Sequence, residues 1–297
     1  MDKIKCEAAL AAADYGNLTA AATALGYTQP GITRMLRSLE KELGFSLFIR
    51  TNKGVSITSN GHMMLPYFRD IVRMHQRAEE LGSEIHGMLN GVLTIGSYFS
   101  IASILLPSIL QKFQKEYPKV RITLREGGNR ELSNWLAENS IDCCFSAKPS
   151  DTVNCDWLPL WQDELVACLP ADHPQANDAV FPLQDLEKYP FIITLPDEDT
   201  DIDRLLAAEG LNPDIRFSTA DVFTSWRMVE AGLGISFNNR LTSTAWQEKV
   251  VTLPFMPARF ITLGIATPSI KDISPATKHF IEKVQTALAT NKMIARP

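Results

Sequence analysis

The apolar positions near the start of the chain are spaced as in a series of short helices. Apolar residues recur at near-helical intervals over residues 3–15. An alanine-rich segment, 18–25, ends before Gly26, where a helix C-terminus favours glycine. Thr28 is a good N-cap, and Pro30 is tolerated in the first turn of a third helix. The pattern predicts helix, short helix, glycine turn and capped helix, which is a helix-turn-helix.

The third predicted helix has two chemically different faces. With Gln29 as the origin and about 100° per residue, one arc is polar and almost free of acids. That arc contains Gln29, Pro30, Thr33, Arg34, Arg37 and Lys41, while Ile32, Met35, Leu36, Leu39 and Leu43 lie on the other side. Amide, hydroxyl and guanidinium groups suit base edges and phosphates. The polar face therefore favours DNA binding, with an ordinary solvated face as the alternative.

Two short apolar runs after this helix flank a turn at residues 52–54 and predict a small hairpin, or wing, that completes a winged helix-turn-helix over 1–59. A long helix is predicted next, over 60–90. Its apolar residues are spaced alternately by four and three: Tyr67, Ile71, Met74, Ala78, Leu81, Ile85 and Met88. Such a heptad seam is typical of a dimer-forming linker helix; a helix packed across its own body is the alternative.

From Gly91 onward, short apolar runs alternate with helical patterns, which predicts an α/β domain with helices on the faces of a largely parallel sheet. The predicted strands are Val92–Gly96, Val120–Glu126, Ile141–Ser146, Leu165–Leu169, Phe191–Leu195, Ile215–Ser218, Gly234–Phe237 and Arg259–Ala266. The predicted helices are Ile101–Tyr117, Arg130–Asn139, 201–209, 222–231 and Pro275–Thr290.

Charge is unevenly distributed along the 297 residues, whose formal net charge is −5. Residues 1–60 contain 7 Lys/Arg and 5 Asp/Glu, so a mildly basic head precedes an acidic body. This asymmetry points to a nucleic-acid-binding end. No apolar run reaches the roughly 18 residues that span a bilayer, and no signal-peptide pattern is present at the start. We therefore expect a cytoplasmic protein without a membrane partner.

Catalytic and metal-binding patterns are missing from the sequence. It contains no G-x-S-x-G, P-loop or H-E-x-x-H motif, and its five histidines show no compact metal spacing. We expect no enzyme activity, cofactor or metal. The 5 cysteines are odd in number and lack a C-x-x-C motif. They are expected to be reduced, buried thiols, with a redox pair such as Cys144 and Cys155 as the alternative.

The order of these elements resembles the LysR-type transcriptional regulators over essentially the whole chain. The most specific stretch is Leu18-Thr19-Ala20-Ala21, Leu25, Gln29-Pro30-Gly31-Ile32-Thr33-Arg34, Leu39-Glu40, Leu43-Gly44, Leu47-Phe48, Arg50, Thr58 and Gly61. The body matches more loosely, for example at Val229-Glu230-Ala231-Gly232-Leu233-Gly234-Ile235. The resemblance implies a two-lobed, periplasmic-binding-protein-like effector domain over 91–297. Its first lobe would be about 91–161 plus 267–297, and its second about 162–266.

The resemblance also implies which residues bind. The DNA-contacting residues would be Thr19, Thr28, Gln29, Pro30, Thr33, Arg34, Arg37, Arg50 and Lys53. An effector would bind between the lobes, at strand ends and helix N-termini, which offer N–H groups to anions. The effector-binding residues would be Ser97, Tyr98, Phe99, Ser100, Ile101, Gly128, Ala147, Thr194, Leu195, Thr219, Val222 and Phe237.

The function implied is a DNA-binding regulator controlled by a small molecule. Tyr98 and Phe99 suggest an aromatic or other organic acid as effector, although Asn238 and Asn239 depart from the Leu-Pro pair that is frequent in the family after this turn. The expected partners are double-stranded DNA, the effector, and a second copy in a homodimer, with a homotetramer built from such dimers. The alternative function is a cytoplasmic two-lobed solute-binding or enzymatic protein with an incidental helical head.

Overall fold

The computed structural model describes residues 1–51, 54–196, 199–246 and 249–290. The chain divides into two compact units. The first comprises Met1–Gly91 with Glu138–Ser140, and the second comprises Val92–Ala137 with Ile141–Pro297. No helix within the described ranges is both long enough and apolar enough to cross a membrane.

The head of the first unit forms the elements that the sequence predicts. They are α1 (Lys3–Tyr15), α2 (Leu18–Leu25), α3 (Gln29–Leu43), β1 (Phe48–Thr51) and β2 (Gly54–Ile57). The side chain of Thr28 caps α3 by accepting a hydrogen bond from the Gly31 N–H. Strands β1 and β2 pair antiparallel as a wing. The wing contacts the turn between α1 and α2, where the Val55 N–H donates to the Gly16 carbonyl at 2.9 Å.

Helix α4 (Ser59–Ile85) belongs partly to the core of the head. Its residues Leu65 and Phe68 are buried in the same apolar cluster as Ile32 and Leu39 of α3. The helix ends at Ile85 rather than near residue 90, because Gly87 takes a left-handed φ of 75° and breaks the helical backbone. Met88, the last predicted seam residue, therefore lies in the turn after the helix.

The second unit is an α/β domain built mainly on one seven-stranded sheet. Its elements are β3 (Gly91–Ser97), α5 (Leu106–Glu116), β4 (Val120–Glu126), α6 (Asn129–Ala137), β5 (Cys143–Ala147), β6 (Asp156–Pro170), β7 (Phe181–Pro182), β8 (Pro190–Thr194), α7 (Asp201–Glu209), β9 (Asp214–Thr219), α8 (Val222–Glu230), β10 (Ser236–Asn239), α9 (Arg240–Ala245), β11 (Val250–Thr267) and α10 (Pro275–Thr290). The strand order is β10-β6-β11-β5-β3-β4, with β7 beside β11. Strands β8 and β9 form a separate parallel pair.

Two long antiparallel strands, β6 and β11, connect the two lobes of this unit. The last residues of β11, Leu263–Ala266, pair with β5 of the first lobe, while its first residues, Val250–Pro254, pair only with β6. The register shifts between Pro254 and Arg259. The lobe boundary drawn from the sequence at residue 266 therefore cuts through β11, whose end is part of the first-lobe sheet.

The structure also corrects the helix predicted over Ile101–Tyr117. Residues Ile101–Leu105 form a π-helical turn, and the α-helix starts only at Leu106. Pro107 has no N–H to donate to the preceding turn, so the regular hydrogen-bond ladder is interrupted there. Helix α9 is absent from the predicted elements, although Asn239 caps it through its side-chain oxygen.

Candidate functional site

Helix α3 presents its polar face to solvent. Thr28, Gln29, Pro30, Arg34 and Arg37 are exposed and Thr33 is half-buried, while Ile32, Leu36 and Leu39 lie in the head core. The Gln29 amide donates to the Thr33 hydroxyl at 3.2 Å, which orders two of the polar side chains.

The two carboxylates of α3 are both bound to groups of the head itself. Glu40 accepts hydrogen bonds from the N–H groups of Leu47 and Phe48, at 2.7 and 3.2 Å, and so holds the start of the wing. Glu42 pairs with Lys5 and with the N-terminal ammonium, and hydrogen bonds from these two groups lower its pKa to about 2.

The cations on the same helix are unpaired. Arg34, Arg37 and Lys41 make no ion pair or hydrogen bond with any described residue. The face therefore carries positive charge that the fold does not neutralise. Thr19 is exposed at the start of α2. Of the two predicted wing contacts, Arg50 lies in β1 but its side chain is outside the described residues, as is the whole of Lys53.

The second unit contains a cavity of about 270 Å³. It opens where β3, β4, β8 and β9 end and where α6, α7, α8 and α9 begin, as expected for a ligand site in such a sheet. The lining residues are Tyr98, Phe99, Ser100, Glu126, Gly127, Gly128, Asn129, Glu131, Leu165, Thr194, Leu195, Thr200, Asp201, Ile202, Ala220, Asp221, Val222, Phe237, Asn238, Asn239 and Thr242.

Eight of the predicted effector residues line this cavity: Tyr98, Phe99, Ser100, Gly128, Thr194, Leu195, Val222 and Phe237. The other four, Ser97, Ile101, Ala147 and Thr219, do not. Ser97 is buried with its hydroxyl on the Tyr98 carbonyl at 3.0 Å. Ala147 donates its N–H to the Tyr98 hydroxyl, and the Thr219 carbonyl accepts from the Leu195 N–H at 2.7 Å. Ile101 is fully buried. Three of these four residues therefore contact lining residues through hydrogen bonds without lining the cavity themselves.

The aromatic wall is held in place by an amide. The Tyr98 hydroxyl donates to the side-chain oxygen of Asn129, whose amide nitrogen donates to the Asp199 carbonyl at 2.5 Å. Burial raises the pKa of Tyr98 well above its usual value, so this hydroxyl stays protonated. The Asn129 side chain thus fixes the ring edge and is not free for a ligand.

At the helix starts around the cavity, some N–H groups already donate hydrogen bonds to side chains of the protein itself. Glu131 accepts from the Gly128 N–H at 3.2 Å, and Asp221 accepts from the Thr224 N–H at 2.6 Å. Thr200 accepts from the Asp203 N–H, and Asn239 accepts from both the N–H and the hydroxyl of Thr242. At least one N–H group at each of these helix starts is therefore engaged by a side chain of the protein itself.

The cavity is also acidic. Its lining contains Glu126, Glu131, Asp201 and Asp221, and no lysine, arginine or histidine is among the described lining residues. Burial raises the pKa of Asp201 to about 6. The organic acid expected from the sequence does not suit this lining, because a carboxylate ligand would face four carboxylates and no basic side chain among the described lining residues. The sequence reasoning considered strand ends and helix starts, and it missed Glu126, Asp201 and Asp221 because they are far apart along the chain.

The predicted seam residues of α4 are mostly exposed in the single chain. Met74 is 60% exposed and Ile85 75% exposed, and Tyr67, Ala78, Leu81 and Met88 are exposed as well. Ile71 differs, since it is half-buried against the head core. Apart from Tyr67, the exposed seam residues thus lie beyond the part of α4 that packs on the head.

The cysteines are free and four of the five are buried. Burial raises the pKa of Cys144 and of Cys168 to about 12 and also raises that of Cys155. A thiol that stays protonated is a poor nucleophile, so the redox alternative for Cys144 and Cys155 finds no support. Among the described residues, no group of three metal-ligating side chains could hold a metal ion.

Comparison with known proteins places the chain in a family. Residues 5–62 match the model described as "Bacterial regulatory helix-turn-helix protein, lysR family", and residues 86–289 match "LysR substrate binding domain". A relative, the HTH-type transcriptional regulator CysB of Burkholderia cenocepacia, is 32% identical over 224 residues, which cover 74% of this chain and 71% of that one.

Solved structures share the fold. A full-length OxyR variant from Pseudomonas aeruginosa has a TM-score of 0.78 at 20% identity and covers 99% of this chain and 96% of its own. Full-length CbnR in complex with its target DNA has a TM-score of 0.67 at 20% identity, covering 97% and 100%. Together with the matches along the sequence, they show that the chain belongs to the LysR family of DNA-binding transcriptional regulators, with an N-terminal helix-turn-helix and a two-lobed effector-binding domain.

Proposed function

We propose that the chain binds a specific operator in duplex DNA through the polar face of α3. When a small molecule occupies the cavity of the second unit, the protein dissociates from the operator or changes its position on it. It would do so as a dimer, in the cytoplasm and without catalytic turnover. The charge of the α3 face is the observation that supports DNA binding. Arg34, Arg37 and Lys41 have no partner among the described residues, whereas Glu40 and Glu42 are paired with other groups of the head.

The charge distribution explains how an acidic protein can bind DNA. Phosphates attract cations that the fold leaves unneutralised, and only the local surface within about a Debye length, roughly 10 Å, contributes. Gln29 and Arg34 can form paired hydrogen bonds with base edges in the major groove, whereas Thr28 and Arg37 suit phosphates. CbnR, which has the same fold, was crystallised with its target DNA.

The proposed test starts from an operator selected from a random duplex pool with the full chain. Gln29→Ala and Arg34→Ala should each weaken operator binding by about 1–3 kcal/mol and relax sequence preference. Arg37→Ala should weaken binding to all sequences alike and lower the salt slope by about 1. Lys115→Ala, an exposed cation of α5 in the second unit, is the matched control and should change nothing. Full operator affinity in the Gln29 and Arg34 variants would exclude α3 as the reading element.

The effector part of the proposal is supported by the cavity. It has the size and the mixed apolar and polar lining of a small-molecule site, and it lies at the strand ends of a two-lobed domain. A ligand controls the regulator only if it binds one arrangement of the protein more tightly than another, and a coupling of about 1–3 kcal/mol is typical. BenM and OxyR share the fold, and full-length structures of both have been solved.

A further inference from the structure

The cavity of the second unit has a chemical character that narrows its ligand. Three of its lining carboxylates come from three different elements: Glu126 ends β4, Asp201 begins α7, and Asp221 precedes α8. Asp221 and Glu131 already accept backbone hydrogen bonds. The carboxylates of Asp201 and Glu126 accept none from the described residues.

A second, independent observation is a buried hydroxyl in the cavity lining that has no hydrogen-bond partner among the described residues. Thr194, at the end of β8, lines the cavity and is only 4% exposed, yet its hydroxyl has no hydrogen-bond partner among the described residues. Buried hydroxyls are nearly always paired, since an unpaired one loses its hydrogen bonds to water without compensation. A ligand that carries a hydrogen-bond donor would satisfy it.

We infer that the ligand of this cavity is a small organic cation, such as a primary amine, whose charge is bound by Asp201 and Glu126 and whose hydrogen-bond donors reach the Thr194 hydroxyl. The inference rests on the proposed function, because it names the class of effector for the same cavity.

Alternatives to an organic cation fit less well. An anion would meet acidic side chains that already accept an N–H at two of the helix starts, and no basic side chain in the described lining. A bare metal ion would need several ligands converging on one point, and no such group exists among the described residues. Glu126 and Asp201 come from different elements of a wall that Phe99 and Phe237 also line. Aromatic rings bind the apolar part of an amine and attract its charge.

The positive charges near the cavity do not compensate its acids. Arg204 acts on Asp201 electrostatically, but its guanidinium forms two hydrogen bonds with Asp199, at 2.6 and 2.9 Å, and it is not a lining residue. Asp163, which accepts a hydrogen bond from the Leu241 N–H, adds a further carboxyl that interacts with Asp201 as a like charge. The local field therefore favours a cation.

The test uses the full chain and pairs of probes that differ only in the sign of their charge: benzylamine against benzoate, 1,4-diaminobutane against succinate, and 1,5-diaminopentane against glutarate. Binding is measured by calorimetry and by the rise in melting temperature. We expect at least one amine to bind with saturation and at least tenfold more tightly than its matched acid. If every acid binds as well as or better than its matched amine, the inference is overturned.

Variants locate the binding. Asp201→Asn should weaken the amine at least tenfold while the protein stays folded, since its carboxylate has no hydrogen bond to lose. Thr194→Val should weaken it too. Asp178→Asn, at an exposed turn outside the cavity, is the control for adsorption of amines to the acidic surface. An amine that binds Asp201→Asn and the parent equally overturns the inference.

Operator binding by the same variants separates the two proposals. If the chain binds its operator but shows no preference for amines, only the cationic ligand is wrong and the regulator function stands. If no operator can be selected with the full chain, the proposed function fails irrespective of what the cavity binds.

Discussion

The hydroxyl of Thr194, at the end of β8, illustrates how a functional site differs from a structural core. Thr194 is buried, yet its hydroxyl has no hydrogen-bond partner in the part of the chain that the structure describes. Natural proteins retain such groups where a ligand completes the hydrogen bonding. The position therefore favours binding over stability.

Thr194→Val should stabilise the second unit by about 1 kcal/mol, because it removes an unpaired buried hydroxyl without changing the side-chain volume much. All five tryptophans lie at residue 135 or later, so urea unfolding followed by tryptophan fluorescence reports this unit alone. Ser225→Ala, at another buried hydroxyl without a partner but outside the cavity lining, is the control for the stability effect. A destabilised Thr194→Val variant would show that the hydroxyl has a partner in solution.

The pKa of Asp201 makes a second prediction at this scale. Its folded value of about 6 lies above the usual 3.8 of an aspartic acid, mainly because of burial. The group therefore favours folding below about pH 4, and this contribution is lost as the pH rises through about 6. Arg204 opposes the shift, while Asp199 favours it.

Asp201→Asn should accordingly stabilise the second unit at pH 8, by about 1 kcal/mol once solvent screening of this half-buried group is allowed for. The gain should disappear at pH 4, where the parent is protonated as well. The measurement is the difference in unfolding free energy between variant and parent across this range. The same gain at both pH values would exclude the ionisation of Asp201 as its cause.

At the scale of elements, the wing depends on a close backbone approach. Gly54 begins β2 with a φ of 139°, and a Cβ at this position would lie 2.2 Å from the Gly16 carbonyl oxygen. Any side chain here forces the wing away from the α1–α2 turn and breaks the hydrogen bond from Val55.

Gly54→Ala should therefore destabilise the head by about 1–3 kcal/mol and weaken operator binding. Circular dichroism at the helical band reports both units, so the effect on the head should appear as an earlier transition in this signal, while the transition in tryptophan fluorescence of the second unit should be unchanged. Gly82→Ala, in the last turn of α4 with open space around it, is the matched control and should stabilise its helix. Equal melting curves for Gly54→Ala and the parent would contradict the close contact.

The elements also show where sequence patterns suffice. The helices of the head are recovered because caps and glycines are local signals, as at Thr28 and Gly44. The full lengths of β6 and β11 are not, because prolines such as Pro159 and Pro254 interrupt their patterns while pairing with a distant strand maintains them. Helix α9 is only six residues long, too short for periodicity to detect.

The site follows the same division. Tyr98, Ser100 and Thr194 could be placed at the cavity because they follow recognisable strands. Its charge could not be, since Glu126, Asp201 and Asp221 meet only through the strand order of the folded unit. The occupation of helix-start N–H groups by Glu131 and Asp221 depends on side-chain geometry, which sequence spacing does not determine.

At the scale of the whole molecule, the exposed seam predicts that DNA binding requires two chains. Leu81→Asp with Ile85→Asp places charges in the apolar surface of α4 and should yield a monomer, because an unpaired charge is costly to bury at an interface. Ile71 is left unchanged because it packs on the head. The measurements are light scattering and operator binding, and loss of one half-site contact should weaken the latter strongly.

The matched control for this variant is Glu84→Gln, a polar change at a half-buried position of the same helix. Circular dichroism checks that both variants keep the helical content of the parent. A doubly substituted chain that remains dimeric would move the dimer interface away from α4.

The pairing of β11 with β5 also determines the order in which a newly synthesised chain can fold. The head has all its residues once Ile85 has left the ribosome. The first-lobe sheet, by contrast, lacks a central strand until Val250–Thr267 emerges, at a synthesis rate of roughly 5–20 residues per second. During that interval β5, whose residues are all buried in the finished protein, has an open edge. The head of the nascent chain is thus able to fold before the ligand-binding unit is complete, and the aggregation-prone stage lies between the two.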